Sequence, residues 1–329
     1  MAQDKVRRLH LTALAALTAC ACVSNPAAMA PEAGEEELLK GRYVERVEVS
    51  MVLLQATVLD RRGEIVVGLE PGDFKLLEDG VPQKISAFGT SDDQPLKVAF
   101  LLDVSGSMAL RGKLDRARSA IHRFVDGLTS YDELALLIFA DGEVVVKKGF
   151  SRNRWDFFRG LDPLEAYGRT ALRDALAAAP EIIDGASPGR KALILITDGV
   201  DNASEMTVVE AIQAARRVPV PIFSIGLTDL PGEMREERRP DSAGRSFLEV
   251  LAAFGEETGG ALTPVFTEDE MQDAVSLVER RMRGQYLIGY SSLSGRSSGE
   301  FRRISLTTRK RGRQVITREG YYPGGAAGD

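Results

Sequence analysis

The order of apolar and polar positions divides the chain into stretches of different rhythm. From Tyr43 to Phe88 the period is two: Val47, Val49, Met51 and Leu53 take alternate positions, with Glu48 and Ser50 between the first three. Such alternation sends successive side chains to opposite faces of a β-strand. Ala56–Leu59 continues the pattern, Arg61-Arg62-Gly63 marks a turn, and Ile65-Val66-Val67 predicts a further strand. Phe74–Glu78 runs into Asp79-Gly80, whose residues tolerate the positive φ of a tight hairpin, and another strand is predicted over Lys84–Phe88. These strands are too few to bury a core alone.

From Leu96 the rhythm changes. Val98–Leu102 is a continuous apolar run, as in a strand covered on both faces. Lys113–Leu128 carries Leu114, Ala117, Ile121, Phe124 and Val125 at the spacing of one helix face. Strand patterns at Leu134–Phe139, Ala192–Ile196, Val220–Ile225 and Leu262–Phe266 alternate with helical patterns. The helices are predicted around Arg154–Arg159, Ala171–Ile183, Val208–Arg217, Phe247–Thr258 and Glu270–Arg283. Asp141-Gly142 turns one strand back into Val144–Val146, predicted as an antiparallel edge. Repeated β-α units predict an α/β domain over 96–283, a doubly wound, mainly parallel sheet with helices on both faces. After Gly284 the β pattern returns in Gln285–Tyr290, Phe301–Thr307 and Gln314–Thr317, with Ser291–Gly299 as a loop. The expectation is one small β domain made by 43–92 and 284–322 together, with the α/β domain inserted between them.

Charge and cysteine content narrow the function classes. With 42 basic and 48 acidic side chains the formal charge is −6, which argues against nucleic-acid binding by phosphate neutralisation. The two cysteines, Cys20 and Cys22, precede the patterned region, so the folded body has no disulfide, thiolate metal ligand or cysteine nucleophile. Residues 1–19 read as an export leader: Lys5, Arg7 and Arg8 precede the apolar run Leu11–Ala19. Leu17-Thr18-Ala19-Cys20 resembles a bacterial lipobox with Cys20 as the lipidated residue, and Ala28-Met29-Ala30 offers an ordinary signal-peptidase site instead. Residues 20–42, rich in Ala, Pro and Glu, read as a tether. The expected location is periplasmic or cell-surface, with membrane attachment through a lipid if Cys20 is modified.

The candidate chemistry lies at strand ends. Asp103-Val104-Ser105-Gly106-Ser107-Met108 follows the first strand of the α/β region, and ligands of open α/β sheets bind at the carboxyl ends of strands. Asp103, Ser105 and Ser107 at alternate positions can turn three oxygens to one side. Oxygen-only donors, two of them neutral, suit Mg²⁺ or Mn²⁺ ahead of Ca²⁺. Serines capping the next helix would give the same residues. Two more oxygens fall where this fold would deliver them. Asp198 ends a strand in Thr197-Asp198-Gly199, and Thr170 lies in Gly168-Arg169-Thr170 before a helix, where it is equally an N-cap.

In that order, D-x-S-x-S, a loop Thr and a strand-end Asp resemble the von Willebrand factor A-type domain and its metal-ion-dependent adhesion site. The resemblance covers about Leu96 to Arg283. It implies that Asp103, Ser105, Ser107, Thr170 and Asp198 surround the metal, with the two aspartates often acting through water. It also implies a protein partner that completes the metal sphere with an Asp or Glu carboxylate. The flanks, Asp73-Phe74 through Glu78-Asp79-Gly80 and Arg318-Glu319-Gly320-Tyr321-Tyr322, resemble acidobacterial-type proteins with a domain related to the same family. Asp201 and Asn202 follow Asp198 and either shape a turn or reach the metal's rim. The charged stretch Leu230–Arg245 reads as a solvated excursion or a partner-contacting loop.

Enzymes are the rival class. A phosphatase of the Asp-x-Asp type would need a carboxylate where Ser105 stands. A Ser-His-Asp hydrolase has only His122 to draw on outside the leader, and zinc lacks ligands. G-x-S-x-G occurs at Gly185–Gly189 and Gly295–Gly299, neither at a strand-to-helix elbow. The expectation is therefore a binding protein and not an enzyme. A structural scaffold of an envelope assembly and a metal-assisted hydrolase are the alternatives.

Overall fold

The computed structural model describes residues 51–90, 95–186, 189–199, 201–228, 245–292 and 299–323. The leader, the tether, Cys20 and most of the 230–245 excursion lie outside the described residues. Four strands open the described chain: β1 (Met51–Leu59), β2 (Phe74–Glu78), β3 (Val81–Pro82) and β4 (Ile85–Thr90). The α/β region follows as β5 (Lys97–Asp103), α1 (Lys113–Gly127), β6 (Glu133–Ala140), β7 (Glu143–Ser151), α2 (Arg154–Leu161), α3 (Leu172–Ala186), β8 (Lys191–Thr197), α4 (Val208–Ala215), β9 (Ile222–Leu227), α5 (Phe247–Thr258), β10 (Ala261–Val265) and α6 (Glu268–Arg283). The chain closes with β11 (Tyr286–Ser291), β12 (Arg302–Thr308), β13 (Gln314–Ile316) and β14 (Gly320–Tyr321).

Among the described residues the α/β region forms one six-stranded sheet in the order β10-β9-β8-β5-β6-β7. All its pairs are parallel except β6 with β7. That last pair is a hairpin: Asp141 and Gly142 have φ of 50° and 83°, the left-handed pair a two-residue turn needs. Helices cover both faces, and the central strands β5 and β8 are apolar from Val98 to Leu102 and from Ala192 to Ile196 because neither face meets water there. One core gathers Phe100, Phe124, Ile194 and Val278, the other Leu101, Leu137, Leu176 and Leu195. The fold is thus a doubly wound α/β domain.

The flanking segments interleave. β1 pairs antiparallel with β11 and β13, β11 also with β4, and β2 with β12, so each sheet takes strands from both ends of the chain. The two sheets, β13-β1-β11-β4 and β14-β12-β2-β3, share a core that includes Val52, Leu54, Phe74, Leu76, Tyr286, Ile288 and Ile304. Arg190, just before β8, bonds Gln55 of β1 (3.2 Å) and Gln285 (3.1 Å). The β sheets therefore abut the amino ends of the parallel strands, leaving the carboxyl ends to the site.

Two strand expectations differ from the structure, and the structure also decides which face of β1 turns inward. Ile65–Val67 forms no strand, since only Ile65 bridges Leu59. In β1 the buried face carries Val52 and Leu54, while Met51 and Leu53 are 63% and 51% exposed. Met51-Val52-Leu53-Leu54 is apolar on both faces, so alternation there does not fix which face turns inward. β9 begins at Ile222 instead of Val220, because Pro219 and Pro221 have no N–H to give to a ladder.

Candidate metal centre

Asp103 is the last residue of β5, and β5 lies beside β8 in parallel register, so Asp103 and Asp198 emerge at neighbouring carboxyl ends. Asp103 is wholly buried, and both its oxygens are engaged. Oδ1 accepts the Ser105 amide at 2.8 Å, and Oδ2 accepts the Thr197 hydroxyl at 2.6 Å. The Ser105 and Ser107 hydroxyls lie 3.2 Å apart, and Ser107 Oγ donates to Asp198 Oδ1 at 3.0 Å. Four of the five expected residues thus form one hydrogen-bonded chain. Thr170, also buried, stands on the adjoining loop, which the Gly106 amide holds through the Gly168 carbonyl at 3.0 Å. Among the described residues no hydrogen bond links the Thr170 hydroxyl to the other four.

The loops permit this closeness through two glycines. Gly168 has φ +71° and a Cβ there would meet the Asp141 carboxylate. Gly199 has φ +79° and a Cβ there would enter the Phe247 ring. Any other residue would be strained at both positions. Asn202 Oδ1 accepts the Thr170 amide at 3.0 Å, and Asp201 accepts the Arg173 amide and Nε, both at 3.0 Å. Asp201 and Asn202 are therefore braces that seat Thr170 and the start of α3.

The electrostatics are asymmetric. Burial, and then the charge of Asp198, push Asp103 up to about 6, against the pull of hydrogen bonds from Thr197 and Ser105. One cation is already present: Lys113 Nζ lies 3.0 Å from Asp198 Oδ2, with the two side chains 4% and 1% exposed. The opening is at Gly106 and Ser107, the first exposed and the second half-buried. Leu110, Tyr167 and Arg169 stand exposed on the same loops.

This donor set fits a hard divalent cation. It is all oxygen, and an octahedron with bonds of about 2.1 Å places adjacent donors about 3.0 Å apart. The Ser107–Asp198 and Ser105–Ser107 separations of 3.0 and 3.2 Å, ordinary for hydrogen-bonded oxygens, are compatible with that edge. His122 sits on α1, stacked on Phe158 at 4.1 Å and paired with Asp162 at 2.8 Å. Gly185 lies in the last turn of α3 and Gly189 just before β8, while Ser187 between them lies outside the described residues.

Sequence reasoning missed Thr197 and Lys113. Thr197 gave no sign, being one more residue of an apolar strand's end. Lys113 did give one, because a lysine at a helix's first residue opposes the positive end of the helix dipole and needs a reason to be there.

Residues 98–200 match the von Willebrand factor type A domain. That von Willebrand segment, less than half of the chain, runs from β5 past β8 and holds Asp103, Ser105, Ser107, Thr170 and Asp198. Among solved structures, the chain is similar to the conserved hypothetical protein BatB from Bacteroides thetaiotaomicron, at 22% identity and a TM-score of 0.44, covering 57% of this chain and 98% of that one. It is also similar to a von Willebrand factor type A protein from Catenulispora acidiphila, at 15% identity and a TM-score of 0.47, covering 85% and 76%. An aerotolerance-related membrane protein from Bacteroides fragilis is similar at 20% identity and a TM-score of 0.42, covering 56% and 98%. No curated protein matches the chain.

Proposed function

We propose that this protein is an extracytoplasmic, metal-dependent protein-interaction module and not an enzyme. Asp103, Ser105, Ser107, Thr170 and Asp198 would hold Mg²⁺ or Mn²⁺, which would supply a positive centre for an Asp or Glu carboxylate of a partner. The observation that carries this reading is the chain of oxygens from Asp103 to Asp198, buried except at Gly106 and Ser107. A cation there would have protein on one side and one open approach. The cation supplies a positive centre, and the protein's own residues fix its place and exclude competing water. The exposed Arg169 beside the opening favours an acidic partner, and exposed Leu110 and Tyr167 offer it apolar contact. Location outside the cytoplasm rests on the leader, with Cys20 as the proposed lipid anchor.

Acetate provides a direct test. In the presence of Mn²⁺ the full chain should broaden the acetate methyl resonance, because the paramagnetic ion relaxes a bound carboxylate's protons. Asp198→Ala should abolish the broadening. Equal broadening in that variant would contradict carboxylate capture at this site.

A further inference from the structure

We propose that Lys113 is the built-in counter-ion of the metal site. Its ammonium holds Asp198 in place before metal arrives and keeps the loaded site electropositive afterwards. This inference rests on the metal-site reading given above. Lys113 begins α1, at the helix end that repels cations, and its side chain is almost fully buried. Either feature alone disfavours a lysine. Together they are tolerated because Asp198 Oδ2 lies 3.0 Å from Nζ. The contact also sorts the oxygens of Asp198: Oδ2 faces Lys113, and Oδ1 faces Ser107 and the opening side.

The charge balance gives the residue its consequence. Asp103 and Asp198, when both ionised, exceed Lys113 by one negative charge, so a divalent cation leaves the site with one net positive charge. A partner's carboxylate then brings it to neutrality. Without Lys113 the loaded site would be neutral before any partner came, and an anion would gain less there. Lys113 thus lowers affinity for the metal and raises the metal's appetite for a carboxylate. It is a positioning residue, since it acts through Asp198 and through charge.

The test compares the full chain with Lys113→Met, Lys113→Gln and Lys113→Arg, using Mn²⁺ alone as the probe. Titration calorimetry should show the Met and Gln variants binding Mn²⁺ about tenfold more tightly than wild type, as expected from removing a nearby like charge. The Arg variant should stay within about threefold, because it keeps the charge. In chelator the Met and Gln variants should melt below wild type, and Mn²⁺ should raise their melting temperature by more than it raises that of wild type. A lysine with only a packing role would lower stability equally with and without Mn²⁺. Gln can still hydrogen-bond Asp198, so it provides the reading if Met does not fold. Equal or weaker Mn²⁺ binding by the neutral variants would overturn the counter-ion role alone. Absence of Mn²⁺ binding by wild type would instead remove the metal-site reading, and this inference with it.

Discussion

Glu78 in the β domain and Asp103 in the α/β domain are both buried carboxylates, and each is the last residue of its strand. Their surroundings differ. Glu78 Oε2 accepts the Tyr290 and Tyr321 hydroxyls at 2.7 and 3.0 Å, while Oε1 accepts Ser292 at 2.6 Å and Arg302 at 3.3 Å. Burial, followed by the hydrogen bond to Glu78, raises the Tyr290 hydroxyl well above its ordinary range, so it stays a proton donor. Asp103 receives one amide and one hydroxyl but faces a second carboxylate. Surrounded by donors and a cation, the first acid ties β2, β11, β12 and β14 together. The second is also engaged at both oxygens, yet burial and the charge of Asp198 push it up to about 6. Burial alone does not distinguish the two acids; their neighbours do.

The largest expected effect lies on the satisfied side. Glu78→Leu takes the acceptor from two tyrosine hydroxyls in the β core and removes the carboxylate paired with Arg302, which keeps its bond to Ser292. Breaking such a buried pair costs about 3–5 kcal/mol, so the urea midpoint should fall sharply while Mn²⁺ affinity of the folded protein is kept. A loss below about 1 kcal/mol, the scale of a surface pair, would show that this network is no lock.

On the strained side the sign reverses. Asp103→Asn keeps the shape of the side chain and removes one like charge. Because the folded protein holds Asp103 near 6, above its unfolded value of about 4, wild type loses stability as pH rises through that window. In chelator at pH 7.5, Asp103→Asn should therefore be more stable by about 1–3 kcal/mol, and the gain should shrink towards pH 4. Mn²⁺ should not stabilise the variant. A variant less stable than wild type in chelator would mean that the two aspartates do not strain one another.

The smallest effect concerns the brace. Asn202→Ala frees the Thr170 amide and should weaken Mn²⁺ binding about tenfold, as for other residues that orient metal ligands. Its stability should change by about 1 kcal/mol or less. Unchanged Mn²⁺ affinity would show that Thr170 needs no such support.

Much of this contrast was legible in the order of residues. Val98–Leu102 and Ala192–Ile196 announced central strands by lacking polar positions, and their ends delivered Asp103 and Asp198 to one place. Asp79-Gly80 and Asp141-Gly142 marked two hairpins because few other pairs accept positive φ twice running. What could not be read were relations between distant segments. Arg302 meets Glu78 across 224 positions, and Lys113 meets Asp198 across 85. Nothing local to either residue names its partner. The buried face of β1 was equally hidden, because Met51 to Leu54 offers no polar residue to mark the solvent side.

The central claim is that Asp103 and its neighbours hold a divalent cation. Titration calorimetry of the full chain with Mn²⁺, beside Asp103→Ala, tests it directly. One Mn²⁺ per wild-type chain and none in Asp103→Ala, with both proteins folded by circular dichroism, is the predicted result. Mn²⁺ affinity unchanged by that substitution would contradict it.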